Sequence, residues 1–359
     1  MKKPVNPVKT GYKAYQAVPG FDSNYGVDNT MVRILITLLV ALLLPLQTGA
    51  VTFKIATLAP DGTRWMQAMR DGATEVKRLT DGRVTLRFYP GGVMGNDQSV
   101  LRKIRVGQLH GGALTGGGLA SIDPDTQIYS LPFMFQSFAE VAVVRKRIDP
   151  VLIAGLQRKG FVCFGFADGG FAYLMSQRPL TRIPQLREQK MWVPEGDEIG
   201  RRVMKALGVT PIPLPLTDVL TGLQTGLIDT IASSPVGAIA LQWHTRVQYL
   251  TDIPLLYIYG TLVIKDKAFK RLSKADQTSF RQAMEKAFRR ISEQNQSDNR
   301  QAREALVKQG IRFVAPDQAD IAEWRRAVDK AVNEMARQGV FSSKLLGRVR
   351  SDIDAYRGR

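Results

Sequence analysis

One cysteine and two histidines in 359 residues leave little material for redox or metal chemistry. Cys163 stands alone, so no disulfide can form within the chain. Its place in the apolar run Phe161-Val162-Cys163-Phe164 reads as a buried core thiol. His110 and His244 have no neighbours at ligand spacing, which argues against a zinc site or a histidine-based triad. No metal and no cofactor are expected. A Walker A motif and a Gly-x-Ser-x-Gly elbow are both missing. The glycines at 91–92 and 116–118 lack the Lys-Ser/Thr ending that cradles phosphate. There is no run of five basic residues and no basic strand interleaved with aromatics, so the net charge of +18 does not point to nucleic acid. Lys and Arg are instead interspersed with acids, as on a solvated basic surface suited to anionic membranes or acidic partners.

What is present begins with residues 31–50. Arg33 precedes eleven apolar residues, Ile34 to Leu44, and small residues follow, with Thr48 and Ala50 placed for a cut after Ala50. This is the pattern of a secretory signal peptide, and it is too short for a bilayer, which needs roughly 20 apolar residues. Met31 is expected to be the true start, with residues 1–30 an upstream over-call. The alternative is an uncleaved membrane anchor with a short cytoplasmic tail. No cysteine lies near the exit, which excludes a lipid-anchored form. The working protein is then expected outside the cytoplasm from Val51 onward. Residues 1–50 carry five basic side chains against two acidic ones, so the remainder keeps +15. Its length suggests two domains or lobes.

Alternation at Val51, Phe53 and Ile55 predicts a strand. Trp65, Met69, Ala73, Val76 and Leu79 recur at helical spacing and stop at Asp81-Gly82. A strand at 84–88, a helix from Asp97 to Gly107, and a short strand running into a loop over 111–118 follow. This β-α-β-α-β order implies a parallel sheet with right-handed crossovers. A similar unit repeats with strands at 161–166, 190–193 and 228–232. Its helices start near Ile199, at Thr217 (with Leu220, Leu223 and Leu227) and near Pro235. From Ser273 the chain reads as long helices, with Ser273 as an N-terminal cap. Two α/β units in tandem suggest lobes facing across a cleft that closes around a ligand. Glu195 and Asp197 are close enough to serve as an acid/base pair, although an acid at a helix start, such as Asp197, is usually a cap.

Four blocks in register carry a family resemblance. They are Thr80–Gly95, Leu101–Leu109, Ser130–Phe135 and Leu207–Asp229. The chain resembles the periplasmic solute-binding proteins of TRAP (tripartite ATP-independent periplasmic) transporters, of the dicarboxylate-binding, DctP-like type, from about 51 to 345. The resemblance implies an α/β fold of two lobes, like type II periplasmic solute-binding proteins, with parallel-core sheets, a cleft between lobes and long C-terminal helices. It implies one lobe over 51–169 and about 259–300, and another over 170–258 and about 301–359. It also implies a monomer without catalysis that hands a small-molecule ligand to integral-membrane TRAP permease subunits. An accessory or sensor protein of the same fold is the competing role.

The chain departs from this family at one informative position. Where typical members carry an arginine that forks onto the substrate carboxylate, Glu188–Val193 places Trp192. Arginine is a fixed planar cation; tryptophan offers a single N–H and an apolar face. Phe171, Tyr173 and Trp192 are expected to line an apolar slot, with Glu195, Ser233 and Ser234 as polar markers. The expected solute is apolar or weakly polar. The alternative is that Trp192 fills the core while another cation, such as Arg178 or Arg201, holds an organic acid.

Overall fold

The structure, a computed structural model, describes Arg33 and residues 50–358. The leader reading at 31–50 therefore lies almost wholly outside the described residues. Gly49–Arg359 forms one compact unit.

The first half runs β1 (Val51–Thr57), α1 (Arg64–Leu79), β2 (Val84–Tyr89), α2 (Asp97–Arg105), β3 (Gly111–Thr115), α3 (Gly116–Ala120), α4 (Phe138–Arg158), β4 (Phe161–Cys163) and β5 (Ala167–Ser176). Next come α5 (Ile183–Arg187), β6 (Trp192–Pro194), α6 (Glu198–Ala206), β7 (Ile212–Leu214), α7 (Val219–Thr225), β8 (Thr230–Ser233), α8 (Pro235–Ala240), β9 (Tyr249–Thr251) and β10 (Leu256–Lys265). The chain ends with α9 (Asp266–Phe269), α10 (Lys274–Lys308), β11 (Arg312–Val314), α11 (Gln318–Arg337) and α12 (Ser343–Arg357). Among the described residues no helix is long and apolar enough to cross a membrane.

The expected parallel core is present. β1 pairs in parallel with β2, setting Phe53 opposite Leu86 and Ile55 opposite Phe88, and in parallel with β3. β6 and β7 are parallel, and a Met191–Thr230 bridge ties them to β8. Two ten-residue strands, β5 and β10, run antiparallel and join the halves in the order β11-β9-β5-β10-β3-β1-β2. The α/β class holds.

Local chemistry explains the helix starts. Thr63 accepts from the Met66 N–H ahead of α1, and Ser273 accepts from Asp276 ahead of the 35-residue α10. Asp81 and Gly82 then adopt positive φ and end the first helical segment. Three expectations need correction. The loop expected after β3 is a short helix, α3, capped by Thr115, and it includes Gly118 because a Cβ there would collide with the Asp97 carboxylate. Leu227 is not part of the helix; α7 ends at Thr225, Gly226 follows in the left-handed region, and Leu227 is 49% exposed. The strand expected at 161–166 stops at Cys163, and a separate strand, β5, runs from Ala167 to Ser176.

Three apolar clusters form the interior. One gathers Phe53, Met69, Phe164 and the first half of α10 through Phe280, Met284 and Phe288. Another gathers Trp192, Val219, Ile231, Trp243 and, from the far end of α10, Leu306. The third and largest spans both halves, with α4, α6, α11 and α12 contributing. Cys163 sits in it, buried, its thiol beside the Thr261 hydroxyl.

Candidate functional site

A cavity of about 880 Å³ opens between the first half and the β6–α8 region. It lies beyond the carboxyl ends of strands β1, β3, β6 and β8, where α/β sheets place ligands. Five helix N-termini reach its wall, and each is plugged by its own cap. Thr63, Asn96, Thr115, Asp197 and Ser234 accept from the backbone N–H groups of Met66, Ser99, Gly118, Gly200 and Gly237. Helix N-termini ordinarily attract anions. Here one such donor at each of the five helix starts is already taken by the cap.

Trp192 lines the cavity and is 3% exposed. Its Nε1–H donates to the Leu214 carbonyl at 3.0 Å, so its one polar group is occupied and only ring surface remains for a solute. Trp243, also in the wall, meets it edge to face at 5.2 Å between ring centres. Ser233 and Ser234 line the cavity too. The Ser233 hydroxyl donates to the Ser234 carbonyl at 3.1 Å, and Ser234 is the α8 cap. Glu195 stands at the rim and accepts from Asn96 Nδ2 at 2.5 Å.

Phe171 and Tyr173 do not belong to this wall. Side chains alternate along β5, and Gly169 and Ala172 are the residues that face the cavity. Phe171 packs on Phe138 and Tyr257 instead, and the Arg303 guanidinium lies over the Tyr173 ring. The phase is set by a register shift between Ile258 and Tyr259, which leaves Gly169 unpaired. The two alternative cations are elsewhere as well. Arg201 forks onto Glu198 at 2.7 and 2.9 Å, and neither it nor Arg178 lines the cavity. Asp197 acts as the α6 cap, so the acid/base pairing with Glu195 has no geometric basis.

Sequence reasoning did not single out Asp97. This first residue of α2 lines the cavity and is 8% exposed. Its Oδ2 accepts from the Thr115 backbone N–H at 3.2 Å and the Thr115 hydroxyl at 2.6 Å. Its Oδ1 is buried without a partner. Burial pushes the carboxyl up to about 6, against the lowering effect of the Thr115 donors. Burial also raises Asp197. Among the described residues the cavity wall holds one guanidinium, Arg64, 64% exposed and paired with Asp298 at 3.3 Å. Five carboxyl groups share that wall: Asp61, Asp97, Glu195, Asp197 and Asp298.

This architecture has many relatives. The profile of the DctP family, bacterial extracellular solute-binding protein family 7, matches residues 55–338. The chain belongs to that family. It is thus one of the bacterial extracellular solute-binding proteins of family 7, and the family resemblance drawn from the four sequence blocks holds. An uncharacterized Salmonella typhimurium protein, YiiZ, is 27% identical over 201 residues, 53% of this chain and 61% of its own length. The C4-dicarboxylate-binding periplasmic protein DctP of Rhodobacter capsulatus is 25% identical over 214 residues, 58% of this chain and 63% of its own. These alignments span about three fifths of each relative. A sugar acid binding protein of Advenella mimigardefordensis, solved with galactonate, superposes with a TM-score of 0.80 at 18% identity, covering 86% of this chain and 99% of its own. Family members of this kind are periplasmic.

Proposed function

We infer that this chain captures a small, apolar or weakly polar solute without a carboxylate and delivers it, as a monomer, to a membrane TRAP permease. One observation carries the reading: the cavity wall presents the Trp192 ring with its N–H occupied, and its single guanidinium, Arg64, already has an acid partner. A carboxylate closed into such a cleft would lose water without gaining a cation, at a cost of several kcal/mol. The proposed export route is the leader at 31–50, cut after Ala50. The proposed lobes are 51–169 with about 259–300, and 170–258 with about 301–359. Two apolar clusters support this division, since each draws its buried residues from one of those lobes alone.

A second reading is favoured by the relatives, whose names and bound molecules are organic acids. It requires Arg64 to leave Asp298 and turn to the solute. Tryptophan fluorescence against a solute panel separates the two. Quenching by apolar alcohols and amines, with no response to succinate or galactonate, is the expected result. Tight succinate binding that survives Trp192→Ala and vanishes in Arg64→Ala would establish the second reading instead.

A further inference from the structure

Five carboxyl groups are buried among the described residues. Four hold an arginine: Glu140 with Arg357, Asp168 with Arg145, Asp276 with Arg83, and Asp352 with Arg147. Asp97 holds none, and it alone of the five lines the cavity. Among the described residues its Oδ1 has no donor. Leaving a buried charged oxygen unpaired is costly, and folds avoid it unless a bound group completes it.

We propose that Asp97 is the acceptor for the ammonium group of a cationic, largely apolar solute whose body lies against the Trp192 and Trp243 rings. This rests on the reading of the cavity as the solute site and narrows the solute class. The charges around the cavity agree in sign. Glu195, Asp197 and Asp298 add to Asp97, against Arg64 alone, although the chain as a whole is strongly basic. A positive end carried into this wall would be attracted by carboxylates from α2, the β6–α6 turn and α10 together. Indole faces suit the same solute, since they bury apolar surface and also attract cations.

The α2 dipole offsets part of the Asp97 charge, but a helix end supplies only about half a unit charge. One backbone donor at the start of α2, the Ser99 N–H, is already taken by Asn96. A neutral hydroxyl could also donate to Oδ1, yet it would leave the carboxylate without a counter-charge. An ammonium supplies both the hydrogen bond and the charge.

The test is calorimetric titration of the mature chain near neutral pH with three solutes of matched shape: 3-phenylpropylamine, 3-phenylpropanol and 3-phenylpropionate. The amine should bind at least about tenfold more tightly than the alcohol, the scale of one charge-assisted hydrogen bond. Asp97→Asn should erase that advantage, so that amine and alcohol bind the variant with similar affinity. An amine that binds no better than the alcohol, or not at all, overturns the proposal; with alcohol binding intact, the apolar-solute reading survives. If the propionate binds most tightly, the reading of the cavity as a site for non-anionic solutes falls, and this proposal with it. The wild-type comparison needs no variant, so a folding defect in Asp97→Asn leaves the outcome decisive.

Discussion

Asp168 and Asp97 are both buried acids, yet their surroundings are opposite. Asp168 lies in β5, where Arg145 donates to its side chain at 2.5 Å and Ser292 at 3.3 Å, with the Tyr257 hydroxyl on the same oxygen. Arg145 also holds Asp149 and the Phe166 carbonyl, so its donors are well used. Burial raises Asp149 while the Arg145 charge opposes the rise. Asp97 has two contacts to Thr115, no cation and one idle oxygen. A buried acid that serves architecture is completed by its own chain. One left incomplete beside a cavity has no such completion from its own chain.

Three measurements sharpen or break this contrast. The largest effect belongs to the completed network. Arg145→Met leaves the buried Asp168 and the half-buried Asp149 without their cation and should cost about 3–5 kcal/mol of stability in urea unfolding. A loss below about 1 kcal/mol would show the network is not architectural.

The next concerns Asp97 through pH. Its carboxyl is raised from 3.8 to about 6 in the fold, so the folded state binds more protons than the unfolded state between those values. The stability contributed by this group should therefore fall as pH rises across that window, by about 3 kcal/mol in total. Asp97→Asn removes the ionisation. The wild-type minus variant difference in unfolding free energy should decline from pH 4 to pH 7; a flat difference would deny the unpaired burial.

The smallest effect is expected at Glu195, an exposed acid whose partner is the neutral Asn96 amide. Glu195→Gln should change stability by less than about 0.5 kcal/mol, since rim contacts are solvated. A larger loss would make this rim contact a structural clamp.

The parts of the fold that read from sequence are those governed by local periodicity. Alternation at Val51–Ile55 and helical spacing at Trp65–Leu79 exposed the first crossover unit, and the Ser273 cap was visible three residues before its acceptor contact to Asp276. β10 carried no clear signal because it is nearly continuous apolar sequence, buried on both faces. Phe171 and Tyr173 show the limit at the site. Alternation predicts that they share a face, but not which face, and the shift at Gly169 decided that. Asp97 was missed for a related reason. In sequence, Asn96-Asp97 is an ordinary helix start. Its burial comes from Gly118, twenty-one positions on, whose missing side chain lets α3 close over the carboxylate. Glycines 116–118 were the available clue, and they were legible only as a cluster without a phosphate motif.

The lone sulfhydryl has a practical side. Buried beside Thr261 and pushed up to about 11 by burial, Cys163 is a spectator toward thiol reagents at neutral pH. A cysteine engineered at the cavity rim would then be the only reactive sulfur in the molecule. A fluorophore attached there could report solute arrival directly, on a background that needs no prior mutation.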